Sequence, residues 1–344
     1  MTVEIKKLEN SEVEITGEIA AADFESFRQG VMEEFRRDLE VPGFRKGHAP
    51  DSVISEKVGN EKILYEMAEQ ALSHYYPEIV RENKLDAIGR PEITITKIAA
   101  GNPLGFKVKT AVMPEMKLPD YQKIAKKENA KPAEPAEVTE TEIDEVINEI
   151  RKNRAHDKYH ADGHENKEGE EVPLPELTDE FAKTLGNFES VVDLRTKVGE
   201  NVGLDKKRRN AEKKRLTIME EIIKGSTVDL PRALIESELG KMEHDMRAHL
   251  ESMGLKFEDY LSHLKKTIEE MRQDWEPEAI KRAKFGLILT KVAETEKIEA
   301  DPKELEHESK HLLDQYQDAD PERIRAYIEG MLKNEATFKF LENC

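Results

Sequence analysis

The sequence predicts a multidomain, elongated protein: an α+β N-terminal domain over residues 1–113, followed by an all-α, long-armed C-terminal domain. Three observations carry that expectation. In the first 112 residues, short runs of alternating apolar and charged side chains flank stretches of helical spacing. Beyond residue 177 only helical spacing recurs. Finally, 37% of the 344 residues are hydrophobic and another 37% charged, a balance that suits long solvated helices better than a sphere.

Taken in order, Val3 and Ile5, then Val13 and Ile15, alternate with Glu and Lys as two half-buried strands meeting near Asn10-Ser11. Phe24, Phe27, Val31 and Phe35 follow at spacings of 3, 4 and 4, one face of a single helix. A Pro/Gly-bounded loop runs from Val41 to Pro50, and Asp51 to Val58 reads as a short helix. Ile63, Leu64, Met67, Ala71 and Leu72 mark a longer helix that ends before Gly89-Arg90-Pro91. Ile93, Ile95, Phe106 and Val108 alternate again and close an antiparallel sheet with helices on one face. Residues 114–137 carry prolines at 114, 119, 132 and 135 and read as an extended linker. Thr139 and Glu142 form a capping box ahead of the stripe Ile143, Val146, Ile147, Ile150. Residues 155–172 are a short polar connector. Val191, Leu194, Val198 and Val202 then open a helix running to Gly225, and Ile235, Leu239, Met242, Met246, Leu250 and Met253 make a second stripe. Asp301-Pro302 and Asp320-Pro321 each set an N-cap before a first-turn proline. Residues 138–154 and 173–344 together are the expected helical domain.

Charge and cysteine exclude whole classes of function. With 54 Lys and Arg against 73 Asp and Glu, the net charge is −19, which argues against coating nucleic acid or an anionic membrane by bulk charge. The one cysteine, Cys344, leaves no intrachain disulfide and no cysteine metal site. The N-terminus lacks an apolar signal core, and the longest apolar run, Phe285 to Leu289, falls far short of the ~20 residues that span a membrane. The expectation is a soluble, cytoplasmic protein that needs no cofactor.

The most informative stretch is Gly43-Phe44-Arg45-Lys46-Gly47-His48-Ala49-Pro50. Two glycines permit a sharp loop, prolines 42 and 50 stiffen its ends, and a ring and two cations sit between the glycines of an otherwise acidic chain. Such a tip suits contact with phosphate and with an RNA–protein surface. The ordinary reading is a surface loop with a buried Phe44. This motif, placed after an amphipathic helix near position 40, resembles the ribosome-binding signature of the bacterial trigger factor family. Leu174-Pro175-Glu176-Leu177-Thr178-Asp179-Glu180-Phe181-Ala182 with Leu185-Gly186 is similar to that family's entry into its helical domain. Val228-Asp229-Leu230-Pro231, and Leu287-Ile288-Leu289 followed by Glu296-Lys297-Ile298, match as well.

The resemblance implies a ribosome-binding N-terminal domain and a chaperone C-terminal domain. It implies Gly43, Phe44, Arg45, Lys46, Gly47, His48 and Pro50 as the ribosome contacts, with His48 where the family more often has lysine. The implied partners are the large ribosomal subunit at the exit tunnel, through ribosomal protein and rRNA, and unfolded or nascent polypeptides held in a cradle between the N-terminal domain and the arms. A homodimer off the ribosome is left open, and no membrane is involved. The family usually carries a prolyl isomerase domain of the FKBP type. Here residues 155–172 leave 18 residues for it, whereas a folded domain needs at least ~50, so the expectation is a chaperone without that enzyme activity. The competing readings are a ribosome-independent holdase of the helical periplasmic type and a prolyl isomerase like the full-length relatives.

The remaining candidates are weaker. Met242, Met246, Leu250 and Met253, with Met271 and Phe285 further on, read either as helix packing or as a deformable apolar surface for varied client segments. Residues 206–215 hold seven cations without an interleaved aromatic, which suits a solvated helix face better than a nucleic-acid platform. His156, His160 and His164 have helical ligand spacing, but Asp162-Gly163 breaks the helix, and neither they nor His307 and His311 make a metal site.

Overall fold

The computed structural model describes residues 1–132, 135–161, 173–316 and 318–344, with the backbone alone over 157–161. Strands β1 (Thr2–Lys7) and β2 (Glu12–Ile19) form the first hairpin. Helices α1 (Ala21–Glu25), α2 (Arg28–Asp38), α3 (Asp51–Val58) and α4 (Asn60–Glu82) follow, then β3 (Ala87–Lys97) and β4 (Leu104–Val112). The four strands make one antiparallel sheet in the order β1-β2-β4-β3, as the alternation requires. Ile15 pairs with Val108 and Gly17 with Phe106, which puts the apolar residues of neighbouring strands on one face. Onto that face pack Phe24, Val31, Met32, Ile54, Ile63, Met67 and Leu72 from the helices. The other face is wet, with cross-strand pairs Glu12–Lys109 at 2.7 Å and Glu14–Lys107 at 3.2 Å.

The stripe from Phe24 to Phe35 belongs to two helices rather than one. The break falls at Ser26, the C-cap of α1, whose hydroxyl donates to the Asp23 carbonyl at 2.6 Å. All four apolar side chains still reach the same core.

The expected extended linker holds regular structure. β5 (Met116–Lys117) and α5 (Tyr121–Asn129) lie within it, and α5 is capped by Asp120, whose carboxylate accepts from the Lys123 N–H at 3.0 Å. The four prolines bracket a proline-free window around α5, and averaging over the segment hid its short amphipathic pattern. Next come α6 (Glu140–Ala161), α7 (Asp179–Leu185) and α8 (Val191–Gly225). A short strand β6 (Thr227–Val228) then pairs with β5, so the chain beyond residue 177 is not helical throughout. Helices α9 (Arg232–Ser252), α10 (Phe257–Leu264), α11 (Ile268–Glu296), α12 (Pro302–Gln315) and α13 (Pro321–Glu342) complete the chain. Asp301 and Asp320 cap the last two as expected.

Contacts divide the chain into two interleaved compact units. The first comprises Met1–Pro119 and Gly225–Glu296. In it the hairpin of α9 and α11, cored by Ile235, Leu239 and Ala279, joins the N-terminal sheet. Ser11, in the β1–β2 turn, donates its hydroxyl to the Asp229 carbonyl at 2.7 Å and its N–H to the Asp229 carboxylate at 3.1 Å. The second unit comprises Asp120–Lys224 and Lys297–Cys344. It holds α6 and α7 against α8 through Ile143, Ile147, Ala182, Leu194 and Val198, and α12 against α13 through Leu305, Ile324 and Ile328.

The capping box forms as read. The Thr139 N–H donates to Glu142 at 2.9 Å, and the Glu142 N–H to the Thr139 hydroxyl at 3.3 Å. Lys206 of α8 adds an ion pair at 2.6 Å. The Lys206 hydrogen bond, then that from the Thr139 backbone, draws the Glu142 carboxyl down to about 2 from 4.5. A depressed carboxyl stabilises the fold above its unfolded pKa and loses that contribution as pH falls from about 4.5 towards 2. Urea melts of the wild type and Glu142→Gln should therefore differ at pH 6 and converge on acidification. A difference independent of pH would show that the box contributes through packing instead.

Candidate functional site

The loop between α2 and α3 is anchored at both ends. Val41 and Ala49 are buried in the N-terminal core. The Arg36 guanidinium of α2 donates to the Ala49 carbonyl at 3.3 Å and pairs with Asp51 at the start of α3. Lys57 reaches back to the Glu40 carbonyl. Between these anchors the chain makes two successive turns. The Phe44 N–H donates to the Val41 carbonyl at 3.1 Å, and the His48 N–H to the Arg45 carbonyl at 3.0 Å. Gly43 and Gly47 each hold the third position with φ of 87° and 85°. Positive φ at the third position alone defines a type II turn, which favours glycine there. An added Cβ would meet nothing within 4 Å at either glycine, so the requirement is one of backbone conformation and not of space.

The two turns hold the tip residues out into solvent. Phe44 is 43% exposed, and Arg45, Lys46, His48 and Pro50 are exposed as well. The ordinary reading of a buried Phe44 therefore does not apply. The side chains of Arg45 and Lys46 make no hydrogen bond or ion pair among the described residues. Exposing a ring costs apolar burial, which a partner surface would recover. Beside the loop, Glu33, Arg36 and Arg37 of α2 line one concavity with Arg45, Lys46 and Gly47. Arg37 was not singled out by the sequence, because spacing along α2 says nothing about which loop folds back beside it.

The methionine stripe of α9 is divided by burial. Met242 packs half-buried against the cluster containing Trp275, and Met246 is half-buried too. Leu250 is 4% exposed, beside the tip helix α10, whose Phe257 is also buried. The Arg247 guanidinium lies 3.9 Å from the centre of the Phe257 ring and pairs with Glu243 and Glu258, both at 3.1 Å. Met253 is 59% exposed, and Leu255 and Leu264 at the same end are exposed as well. Met271 is buried and Phe285 half-buried. Leu250 thus serves the core of the hairpin, and the surface on offer at its end is Met253, Leu255 and Leu264.

In the cation run of α8, Lys206, Arg208 and Arg215 are held in ion pairs. Arg215 holds Glu335 of α13 bidentately, both contacts at 2.9 Å, and Glu342 at 2.6 Å, and lies 5.1 Å from the centre of the Phe338 ring. Glu342 first, then Glu335, raises the guanidinium above its ordinary value. Arg215→Gln should destabilise the second unit by ~1–2 kcal/mol, since the network is only partly buried. Arg215→Lys should recover only part of that, because an ammonium cannot hold two carboxylates in the same plane. Urea melts of both variants check this, and equal stability of all three proteins would make the network ornamental. Of the histidines, His307 sits 3.1 Å from Glu308. His164 and the side chain of His160 lie outside the described residues. Among the described residues no group of three His, Cys, Asp or Glu could hold a metal, and no helix is long and apolar enough to cross a membrane.

Comparison with known families separates the readings. Residues 1–150 match the model of the bacterial trigger factor protein, and residues 190–340 match the model of its C-terminus. The chain belongs to the bacterial trigger factor family. This is a family of ribosome-associated chaperones that bind nascent polypeptides, and the ribosome-independent periplasmic alternative is not favoured. The two matches leave residues 151–189 between them, with no isomerase domain matched there. Trigger factor of Caldicellulosiruptor bescii is 25% identical over 426 aligned residues, covering 100% of this chain and 97% of that protein. Trigger factor of Caldicellulosiruptor saccharolyticus is 24% identical over 408 residues, covering 93% and 92%. A solved structure of the trigger factor chaperone covers 99% of this chain and 97% of its own, with a TM-score of 0.52 and 16% identity. At that identity the likeness speaks for the fold. The fold class read from the sequence, a mixed α/β N-terminal region followed by a helical C-terminal one, agrees with it.

Proposed function

We propose that this trigger factor relative is an ATP-independent holdase that docks at the exit of the large ribosomal subunit through Gly43–Pro50. In this reading Phe44, Arg45 and Lys46 make the contact, His48 and Pro50 flank it, and Gly43 and Gly47 shape it. The observation that carries the reading is the presentation of Phe44 and two cations, without a hydrogen bond or ion pair among the described residues, on a twice-turned, doubly anchored loop. Client segments would bind apolar surface that includes Met253, with Met242 and Met246 contributing their half-exposed thioethers. Release needs no chemistry. Modest affinity gives fast dissociation, and burial in the client's own core competes the chaperone away. Off the ribosome, the same exposed apolar ends would support a homodimer.

Cosedimentation with ribosomes over a salt series tests docking, with binding expected at low salt and weakening as salt rises. The proposal also holds that the chain lacks prolyl isomerase activity. It should leave a proline-limited refolding phase, tens of seconds or more when uncatalysed, unchanged. It should still suppress aggregation of an unfolded client at stoichiometric amounts. Acceleration of the slow phase at sub-stoichiometric amounts would overturn that part.

A further inference from the structure

The concavity beside the docking loop is walled by cations from two separate segments. Arg36 and Arg37 come from the last turn of α2, Arg45 and Lys46 from the loop, and Glu33 is the one carboxylate lining it. Arg36 is committed to the Ala49 carbonyl and to Asp51. Arg37 is not held in that way. Its side chain is 72% exposed and paired at 3.0 Å with Asp38, its neighbour in sequence, whose side chain is 67% exposed. Such an open pair exchanges readily for another anion. Glu33 is engaged by Gln29, whose amide donates to it at 3.2 Å. Three cations, Arg37, Arg45 and Lys46, therefore keep ends that can turn to a ligand.

No aromatic or large apolar side chain lines the concavity, and Phe44 lies outside it. A partner offering a flat base or an apolar side chain would gain nothing here. A run of phosphates would gain one charge-assisted contact per cation, with the guanidinium fork suited to phosphate oxygens. The net charge of −19 on the whole chain disfavours a polyanion elsewhere and restricts its approach to this side. We propose that Arg37 joins Arg45 and Lys46 in one cleft for the phosphodiester backbone of RNA, read without regard to base sequence. This rests on the loop's being the docking site, and adds to it a residue and the chemistry of its partner.

The test uses purified large ribosomal subunits and, separately, deproteinised rRNA from the same subunits, each titrated over a salt series. Arg37→Gln should weaken binding to both probes by about five- to tenfold and lower the salt slope by about 1, the loss of one phosphate contact. Arg37→Lys should keep the slope, and Glu33→Gln should tighten binding to both, since it removes the negative wall. Arg37 is exposed, so all three variants should melt with the wild type, and the Lys variant reports on the charge if the Gln variant does not fold. Unchanged affinity and slope for Arg37→Gln, while the triple Ala variant of Phe44, Arg45 and Lys46 loses subunit binding, would confine docking to the loop and overturn the inference alone. Weaker binding to subunits but not to deproteinised rRNA would make the ligand a carboxylate of a ribosomal protein, and would overturn it too. If the triple variant still binds subunits, the docking reading itself falls.

Discussion

Replacing Phe44, Arg45 and Lys46 together by alanine should cut ribosome binding by an order of magnitude or more without moving the thermal melt. The three side chains are exposed at the tip of the loop, and neither cation has an ion pair among the described residues, so the fold keeps its hydrogen bonds and ion pairs. A ribosome would lose two charge-assisted contacts of ~1.5–3 kcal/mol each, and the burial of one ring. Either cation alone is therefore worth about ten- to hundredfold. Gly43→Ala and Gly47→Ala give a second arm to the experiment. They keep all three functional groups but strain backbone at φ of 87° and 85°, so binding should fall by less than in the triple variant. Cosedimentation beside calorimetry reads both arms. Unchanged binding with an unchanged melt in the triple variant would remove the docking assignment.

Two substitutions at the C-terminal end of α9 should separate core from client surface by opposite effects. Leu250 is 4% exposed and Met253 59%, three residues apart at the end of α9. Leu250→Gln strips a buried apolar side chain and strands an amide among Leu250's former neighbours, at ~2 kcal/mol or more. Met253→Gln should change stability by less than ~0.5 kcal/mol while weakening suppression of client aggregation. Urea melts and a light-scattering assay of an aggregating client read the two quantities. Normal holdase activity in Met253→Gln would move the client surface away from this end of the hairpin. Met246, half-buried between them, should fall between the two in both measurements.

The elements whose burial follows a simple period were legible. Val13, Ile15, Phe106 and Val108 alternate because a strand buries every second residue, and the register puts them together on the core face. Asp301-Pro302 and Asp320-Pro321 mark helix starts because cap and first-turn chemistry are local to three or four residues. The loop between α2 and α3 was legible for the same reason. Gly43 and Gly47 declare their turns, whereas the exposure of Phe44 between them had to come from the structure. Helix α5 was missed, although its own cap at Asp120 is an ordinary one, because proline density over the whole segment outweighed a nine-residue pattern.

What the sequence determined by itself was therefore the local conformation and the chemical identity of the loop, together with the order of sheet and helices. Tertiary structure alone decided three further matters. It placed Arg37 beside Arg45 and Lys46, paired two-residue strands from Met116–Lys117 and Thr227–Val228, and buried Leu250 while exposing Met253. Each depends on which other segment comes to lie alongside. A period of 2 or 3.6 residues reports the face that a side chain occupies on its own element, but what covers that face is settled by packing against other segments, from eight residues away for Arg37 to more than a hundred for β5 and β6.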